Sequence, residues 1–582
     1  MATTAQPAEE GVFELGLVMA GAVSAGAYTA GVMDFLLEAL DLWEQAKAAG
    51  RPVPRHSVRI PVLAGASAGG MTAAVLTAAL SGHIPPIHNL DLTGDVPEGN
   101  PLFDCWVRGI DITDFLQLHD LDANRVESLL CCARLDVLAK TYMRPRPGAT
   151  QPRPYIPESL HVLLTLANLR GTPYRISFKG AGNYGHPMSL HKDYAHCVYQ
   201  KKPGAMPNTP LGGVPVCLDP AAPDSLDWAF LKTAALATGA FPLALAPRVL
   251  RRYVPEYELR KWLVPHDVAC DAQTGNVSAT IRPELIDLDR TLVARGGTIE
   301  RPTMNVDGGT FDNEPLELAR RLLAGSDLVN PRDPDKAHRA VLLIDPFPNP
   351  DDDTVFATDH PDVLALAAKL LGAMKANARF KAEELVLAQE PDCFSRFIIG
   401  PTREGKAGKR EADIACGSLG GFGGFFAERF RRHDFQLGRR NCQRFLAAHF
   451  AIPLGKAQNN PVFKPDWDHL SQFAVPDPSD PTGQARIVPI IPLMPEIDPA
   501  KGHTEPPLPW DEVVLGQDDL DTLRHPIRER VKAVAAIYLD RYIEHNGLKK
   551  LAQWYINDKS TDIAGWLLDK VRADFLQNGV MR

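Results

Sequence analysis

Residues 61–70 read PVLAGASAGG, and the next ten, MTAAVLTAAL, carry the apolar run to Leu80 without a charge. One hydroxyl, that of Ser67, stands between Gly65 and Ala66 on one side and Ala68 and Gly69 on the other. The run before Ser67 reads as the end of a strand and the run after it as the start of a helix. Residues with little or no Cβ at the turn let strand and helix pass closely. The turn then presents the hydroxyl at the carboxyl edge of the sheet, where open α/β sheets bind ligands. The stretch is long enough for a membrane span. However, Gly65, Gly69 and Gly70 interrupt it and alanine dominates it, so a buried strand, turn and helix are expected and no transmembrane segment.

Working outward, the same alternation recurs. Val12–Met19 predicts a strand, and Tyr28–Trp43 a helix with Val32, Phe35, Leu36, Leu40 and Trp43 on one face. Strands follow at Val58–Ala64, Tyr174–Phe178, Pro302–Val306 and Val341–Ile344. Helices follow at Met71–Leu80, Trp228–Ala237 and Glu314–Leu323. Strands alternating with helices imply an α/β fold with a mostly parallel sheet and crossover helices. A core over 13–325 is expected, with an irregular, proline- and charge-rich insertion around 84–170. Residues 326–460 continue the core with helical and Gly/Arg-rich segments, including a long helical run at Leu364–Leu387. Twelve prolines between 461 and 509 exclude a regular helix or central strand there and predict an extended wrap. Two amphipathic helices, near 527–545 and 561–576, close the largely helical and proline-rich C-terminal extension.

The net charge of −9 argues against nucleic acid as a partner, since such proteins carry a basic surplus. Nine scattered cysteines with no CxxC spacing point to reduced thiols rather than a disulfide framework. The start, MATTAQPAEEGVFELG, has no basic region and reads as no secretory signal, so a cytoplasmic protein is expected.

The spacing Gly65-x-Ser67-x-Gly69 fits a nucleophile elbow, in which the serine takes a strained backbone and the helix N-terminus faces a developing oxyanion. The alternative is a close-packed turn whose serine only caps the helix. Two further features accompany it. The small-residue loop Gly21-Ala22-Val23-Ser24-Ala25-Gly26 joins the first strand to the first helix and offers backbone N–H groups. It is no phosphate loop, because no Lys-Ser/Thr follows Gly26. Asp307-Gly308-Gly309 directly follows another strand, putting a carboxylate at the same sheet edge, able to take a proton from Ser67.

In this order the three features resemble the patatin-like phospholipases, which have a glycine-rich loop before the first helix, a GxSxG elbow and a later Asp-Gly-Gly or Asp-Gly-Ala. The tracts Ala234–Pro242 and Asp312-Asn313-Glu314-Pro315 resemble the family too, so the likeness covers residues 13 to 325. A larger bacterial branch shares features like Gly420–Phe425 and Arg431–Asn441. The resemblance implies a three-layer α/β/α patatin-like fold and a serine hydrolase of lipid esters, of phospholipase A or lysophospholipase type. Ser67 would be the nucleophile and Asp307 the base of a dyad without histidine. Gly21 to Gly26, with Ala68, would form the oxyanion hole, and no metal or organic cofactor would be needed. Acyl transfer by the same dyad and noncatalytic lipid binding are the alternatives. Two positions depart from the family loop: Ala25 stands where it carries arginine, and β-branched Val23 resists a positive φ.

Other signals carry less. Gly180-Ala181-Gly182-Asn183-Tyr184-Gly185 follows a strand, but Pro187 opposes the helix that dinucleotide binding requires, so a hairpin turn is expected. His186, His191 and His196, near Asp193 and Cys197, recur every five residues, which matches neither one strand face nor a helix pair. The basic tract Arg429, Arg431, Arg432, Arg439, Arg440 and Arg444, beside Phe422, Phe425 and Phe426, has two readings. It is either a reversible docking surface for anionic lipid or a set of internal salt bridges.

Overall fold

The structure, a computed structural model, describes residues 9–122, 125–146, 151–176, 186–202, 204, 209–270, 277–285, 299–325, 329–347, 393–403, 414–543 and 545–582. Nine strands form the central sheet: β1 (Val12–Met19), β2 (Ser57–Gly65), β3 (Ser159–Ile176), β4 (His186–Gln200), β5 (Val216–Leu218), β6 (Arg248–Leu250), β7 (Thr303–Asp307), β8 (Arg339–Ile344) and β9 (Arg396–Ile399). Their order is β9-β8-β1-β2-β3-β4-β5, with β7 against β3 and β6 against β7. From β9 through β3 all neighbours are parallel, while β4 and β7 both run antiparallel to β3.

Strands buried on both faces read as continuous apolar runs, and β8, RAVLLI, is buried at every position. Along β1, Phe13, Leu15, Leu17 and Met19 enter one core, and Val18 enters another. The first core is shared with α1 (Gly26–Ala48), α2 (Ser67–Ala79), α3 (Ala133–Tyr142) and α4 (Leu226–Thr238). The second lies under α5 (Leu316–Ala324), through Leu318, Ala319 and Leu323. Helices thus cover both faces of a mostly parallel sheet, in three layers.

A further long helix, α6 (Glu428–Ala448), crosses α1 at close range: Gly31 faces the Phe435 backbone and Gly438 faces the Tyr28 carbonyl, with no room for a Cβ at either. Its arginines correct the lipid-docking expectation. Arg431 and Arg439 are fully buried, and Arg432 and Arg440 are 7% and 8% exposed. Arg439 pairs with Asp34 and Glu38 of α1 and with Glu505, at 2.7 Å to Glu38 and 2.6 Å to Glu505. Arg429 pairs with Asp519 at 3.0 Å, and Phe425 is buried. The tract is internal because α1 packs along α6 and supplies Asp34 and Glu38, while Glu505 and Asp519 from later in the chain and the Val107, Gly424, Asp91 and Gly94 carbonyls take further donors.

Three boundaries differ from expectation. The stretch expected to be irregular holds the helix α3 and a π-helical turn at Asp104–Arg108, and it ends at 158 rather than 170, because Ser159–Ile176 is β3, whose first half is a central strand. The closing helices are α7 (Arg524–Tyr542) and α8 (Asn546–Gln577), the latter beginning fifteen residues early. Prolines 461–509 do not exclude a central strand: Arg486–Pro489 pairs antiparallel with Ala451–Pro453 on one side and with Val475–Pro476 on the other, as the middle strand of a small three-stranded sheet. Leu364–Leu387 and Gly180–Gly185 lie outside the described residues. No helix among the described residues is long and apolar enough to cross a membrane.

Candidate active site

The pairing along β3 brings the site together. Gly65, the last residue of β2, lies opposite Leu164, and Asp307, the last residue of β7, lies opposite Leu166. Two residues of strand span about 6.6 Å. A parallel strand and an antiparallel one therefore end facing each other on a shared neighbour. Ser67 Oγ donates to Asp307 Oδ2 at 2.7 Å across 240 residues of sequence. The other carboxylate oxygen, Oδ1, accepts the Gly309 N–H at 2.8 Å, which fixes the rotation of the carboxylate.

Ser67 adopts φ +50°, the left-handed region that a non-glycine residue rarely holds. Its hydroxyl caps nothing; it faces Asp307, and the N-cap position is Ala66 with no side-chain cap. The elbow is held by contact and by hydrogen bonds, among them the Ala66 N–H to Met19 O at 3.2 Å. A Cβ on Gly65 would lie 2.6 Å from the Gly69 and Gly70 backbone, and one on Gly69 would strike the Met19 carbonyl at the end of β1. The Ser67 N–H donates to the buried Thr238 Oγ1 at 2.9 Å, from the end of α4. Gly308 packs on Thr165 of β3 and Gly309 beside Asn313, so neither has room for a side chain.

The loop Gly21–Gly26 lies beside the elbow, since a Cβ on Gly21 would come within 3.0 Å of Ser67 Cβ. Not all its donors are available, which corrects the expectation that the whole loop serves as oxyanion hole. The Gly21 N–H bonds Asn313 O at 3.2 Å, the Ala25 N–H bonds Ala22 O at 2.9 Å, and the Gly26 N–H turns back on Val23 and Ser24. The N–H groups of Ala22, Val23, Ser24 and Ala68 keep no partner among the described residues. Val23 does adopt a positive φ, +49°, against its β-branched preference. A latch accounts for that: Ser24 Oγ donates to the Gly421 carbonyl and accepts the Gly424 N–H at 3.0 Å. Arg431 of α6 donates to Gly424 O at 2.5 Å and to Val107 O at 2.7 Å. Ala25 is buried, and the cation nearest the latched tract thus comes from α6 rather than from the loop itself.

The dyad opens on a small apolar cavity lined by Val23, Met71, Trp106, Phe115, Phe241 and Phe425 among others. Thr238, Asn313 and Trp106 are the site residues that sequence reasoning missed. Thr238 and Asn313 lay in tracts noted for resemblance only, and nothing local marks Trp106; Ser24 was expected as a backbone donor, while the contacts of its hydroxyl with Gly421 and Gly424 were not.

The β4 residues do not converge. His196 Nε2 meets His161 Nδ1 at 2.9 Å, His191 Nδ1 bonds the Asn168 carbonyl, and Asp193 binds Arg260 at 2.6 Å. Among the described residues, Glu38, His88 and Glu505 place ligand atoms within 4.8 Å of one another. Arg439 already donates to both carboxylates there, so a guanidinium occupies the place a metal ion would take.

No protein-family model matches the chain. An uncharacterized protein, y4iI, of Sinorhizobium fredii (strain NBRC 101917 / NGR234) is 34% identical over 487 residues. The match covers 77% of this chain and 66% of that relative, so the chain spans just under two thirds of its length.

Proposed function

We propose that this chain is a serine acyl hydrolase of lipid esters on a patatin-like fold. The observation that carries the reading is the 2.7 Å hydrogen bond from Ser67, at φ +50°, to Asp307. A serine in that backbone state, bonded to a carboxylate at the wall of an apolar cavity, suits nucleophilic catalysis better than helix capping.

In this mechanism Ser67 Oγ attacks the ester carbonyl carbon as its proton passes to Asp307 Oδ2. The carbonyl oxygen becomes an oxyanion facing the uncommitted N–H groups of Ala68 and Ala22–Ser24. One such donor is worth about 10²–10³ in rate. The intermediate collapses, the C–O bond to the alcohol breaks, and Asp307 returns the proton to the leaving oxygen. Water, deprotonated by Asp307, then attacks the acyl-Ser67 ester, and Ser67 leaves protonated. The apolar walls suit an acyl chain.

A panel of phospholipid, lysophospholipid and acylglycerol hydrolyses with wild type and Ser67→Ala tests the reading, together with fluorophosphonate labelling. Stoichiometric label on Ser67 and hydrolysis abolished by Ser67→Ala are expected. A folded Ser67→Ala protein that still turns over ester would end the proposal.

A further inference from the structure

Among the described residues that line the cavity, Trp106 is the one whose side chain carries a hydrogen-bond donor that the mechanism above leaves unused. Ile110, Phe115, Leu135, Phe241 and Leu245 supply apolar wall, and Ser67 and Asp307 are committed to each other. The indole is 3% exposed, and its Nε1 is buried with no acceptor among the described residues. Buried donors are normally paired, so an orphan on a residue that lines a ligand cavity calls for a reason.

Two further observations single the residue out. Asp104–Arg108 is wound as a π-helical turn, a rare form that occurs frequently at functional sites. The six-membered ring also packs on Gly26, the end of the oxyanion loop, where a Cβ would lie 2.5 Å from Cζ3 and Cη2. The ring is therefore wedged between that loop and the cavity. Free room inside is about 30 Å³, close to one water molecule, so an acyl chain enters only as the aromatic walls turn.

We infer that Trp106 determines specificity: its N–H donates to an oxygen carried on the acyl group, so the preferred esters are oxygenated acyl esters rather than plain alkanoyl ones. The inference rests on the hydrolase reading. An oxygenated chain gives the stranded donor its acceptor, whereas an alkyl chain leaves it stranded.

The test compares p-nitrophenyl decanoate with its 3- to 10-hydroxy derivatives and their O-methyl ethers, using wild type and Trp106→Phe. At least one hydroxy ester should exceed decanoate at least tenfold in kcat/KM, with the matching ether keeping the preference because it still accepts a hydrogen bond. Trp106→Phe should bring that ratio to within about twofold while fluorophosphonate still labels Ser67. Absence of any preference in wild type overturns the inference, as does a preference that survives in Trp106→Phe. Should Trp106→Phe not fold, the ethers decide, since a preference confined to the hydroxy esters would mean that an acceptor, not an indole donor, reads the chain. If no ester is hydrolysed and Ser67 takes no label, the hydrolase reading falls and carries this inference with it.

Discussion

At the scale of single residues, Ser67 holds a conformation that costs about 1–3 kcal/mol and persists only when its surroundings enforce it. Thr238 supplies one constraint through the Ser67 N–H. Thr238→Val should lower kcat at least tenfold with KM little changed, and Thr238→Ser should restore it. A purely structural role would shift thermal unfolding without that split. Gly21→Ala would drive a methyl into Asn313 and toward Ser67 Cβ, so ester hydrolysis should fall to background in a protein that still melts cooperatively. Asp307→Asn should cost as much as Ser67→Ala, and the double variant no more than either, because residues acting as a unit are not additive. A double variant far slower than both single variants would separate their roles.

At the scale of elements, α6 is a load shared between charge and contact. Arg439→Met would leave Asp34, Glu38 and Glu505 without their cation, and removing one partner of a buried pair costs about 3–5 kcal/mol. Urea unfolding of Arg439→Met should show a loss of that size. Arg431→Glu/Arg432→Glu should likewise unfold the protein more easily, rather than merely weaken its hold on anionic vesicles. The β3–β4 pair adds a pH dependence. Burial pushes the His161 imidazole down to about 4, and burial beside His161 holds His196 well below the usual range. Burial brings His56, whose ring bonds Ile490 O at 2.8 Å, to about 4 as well. These groups are neutral in the fold while the unfolded chain takes up protons below about 6.5. Their contribution is therefore full above pH 6.5 and is lost as pH falls toward 4. A single shift of that size corresponds to about 3 kcal/mol. Chemical unfolding at pH 7 and pH 4.5 should show the loss, and His161→Gln/His196→Gln should reduce it to the part that His56 contributes.

At the scale of the whole molecule, the end of the chain braces the site. Asp574 of α8 accepts the Leu419 N–H at 2.8 Å, and Phe575 packs edge-on against Phe426 and Phe430. Leu419 opens the tract whose Gly421 and Gly424 bind Ser24. Asp574→Ala should therefore slow Ser67 labelling by fluorophosphonate several-fold, although Asp574 lies far from Ser67 in sequence. Labelling at the wild-type rate would show that the brace is not felt at the elbow.

What the sequence determined by itself was whatever neighbours along the chain can enforce. The strands at Val12–Met19 and Val341–Ile344 were legible because hydrophobic pattern is local. So was the turn at Gly65–Gly69, because glycine and alanine at a strand end admit few structures. The arginines of α6 were not, since a charge run looks alike whether solvent or buried carboxylates face it. Asp34 and Glu505, which neutralise Arg439, lie hundreds of residues apart in the chain. Which loop donors stay free was equally invisible, for it depends on Asn313 reaching back to Gly21. The meeting of Ser67 and Asp307 was decided only in three dimensions, by β2 and β7 ending two residues apart on β3, because strand register is a property of pairs and not of either strand alone.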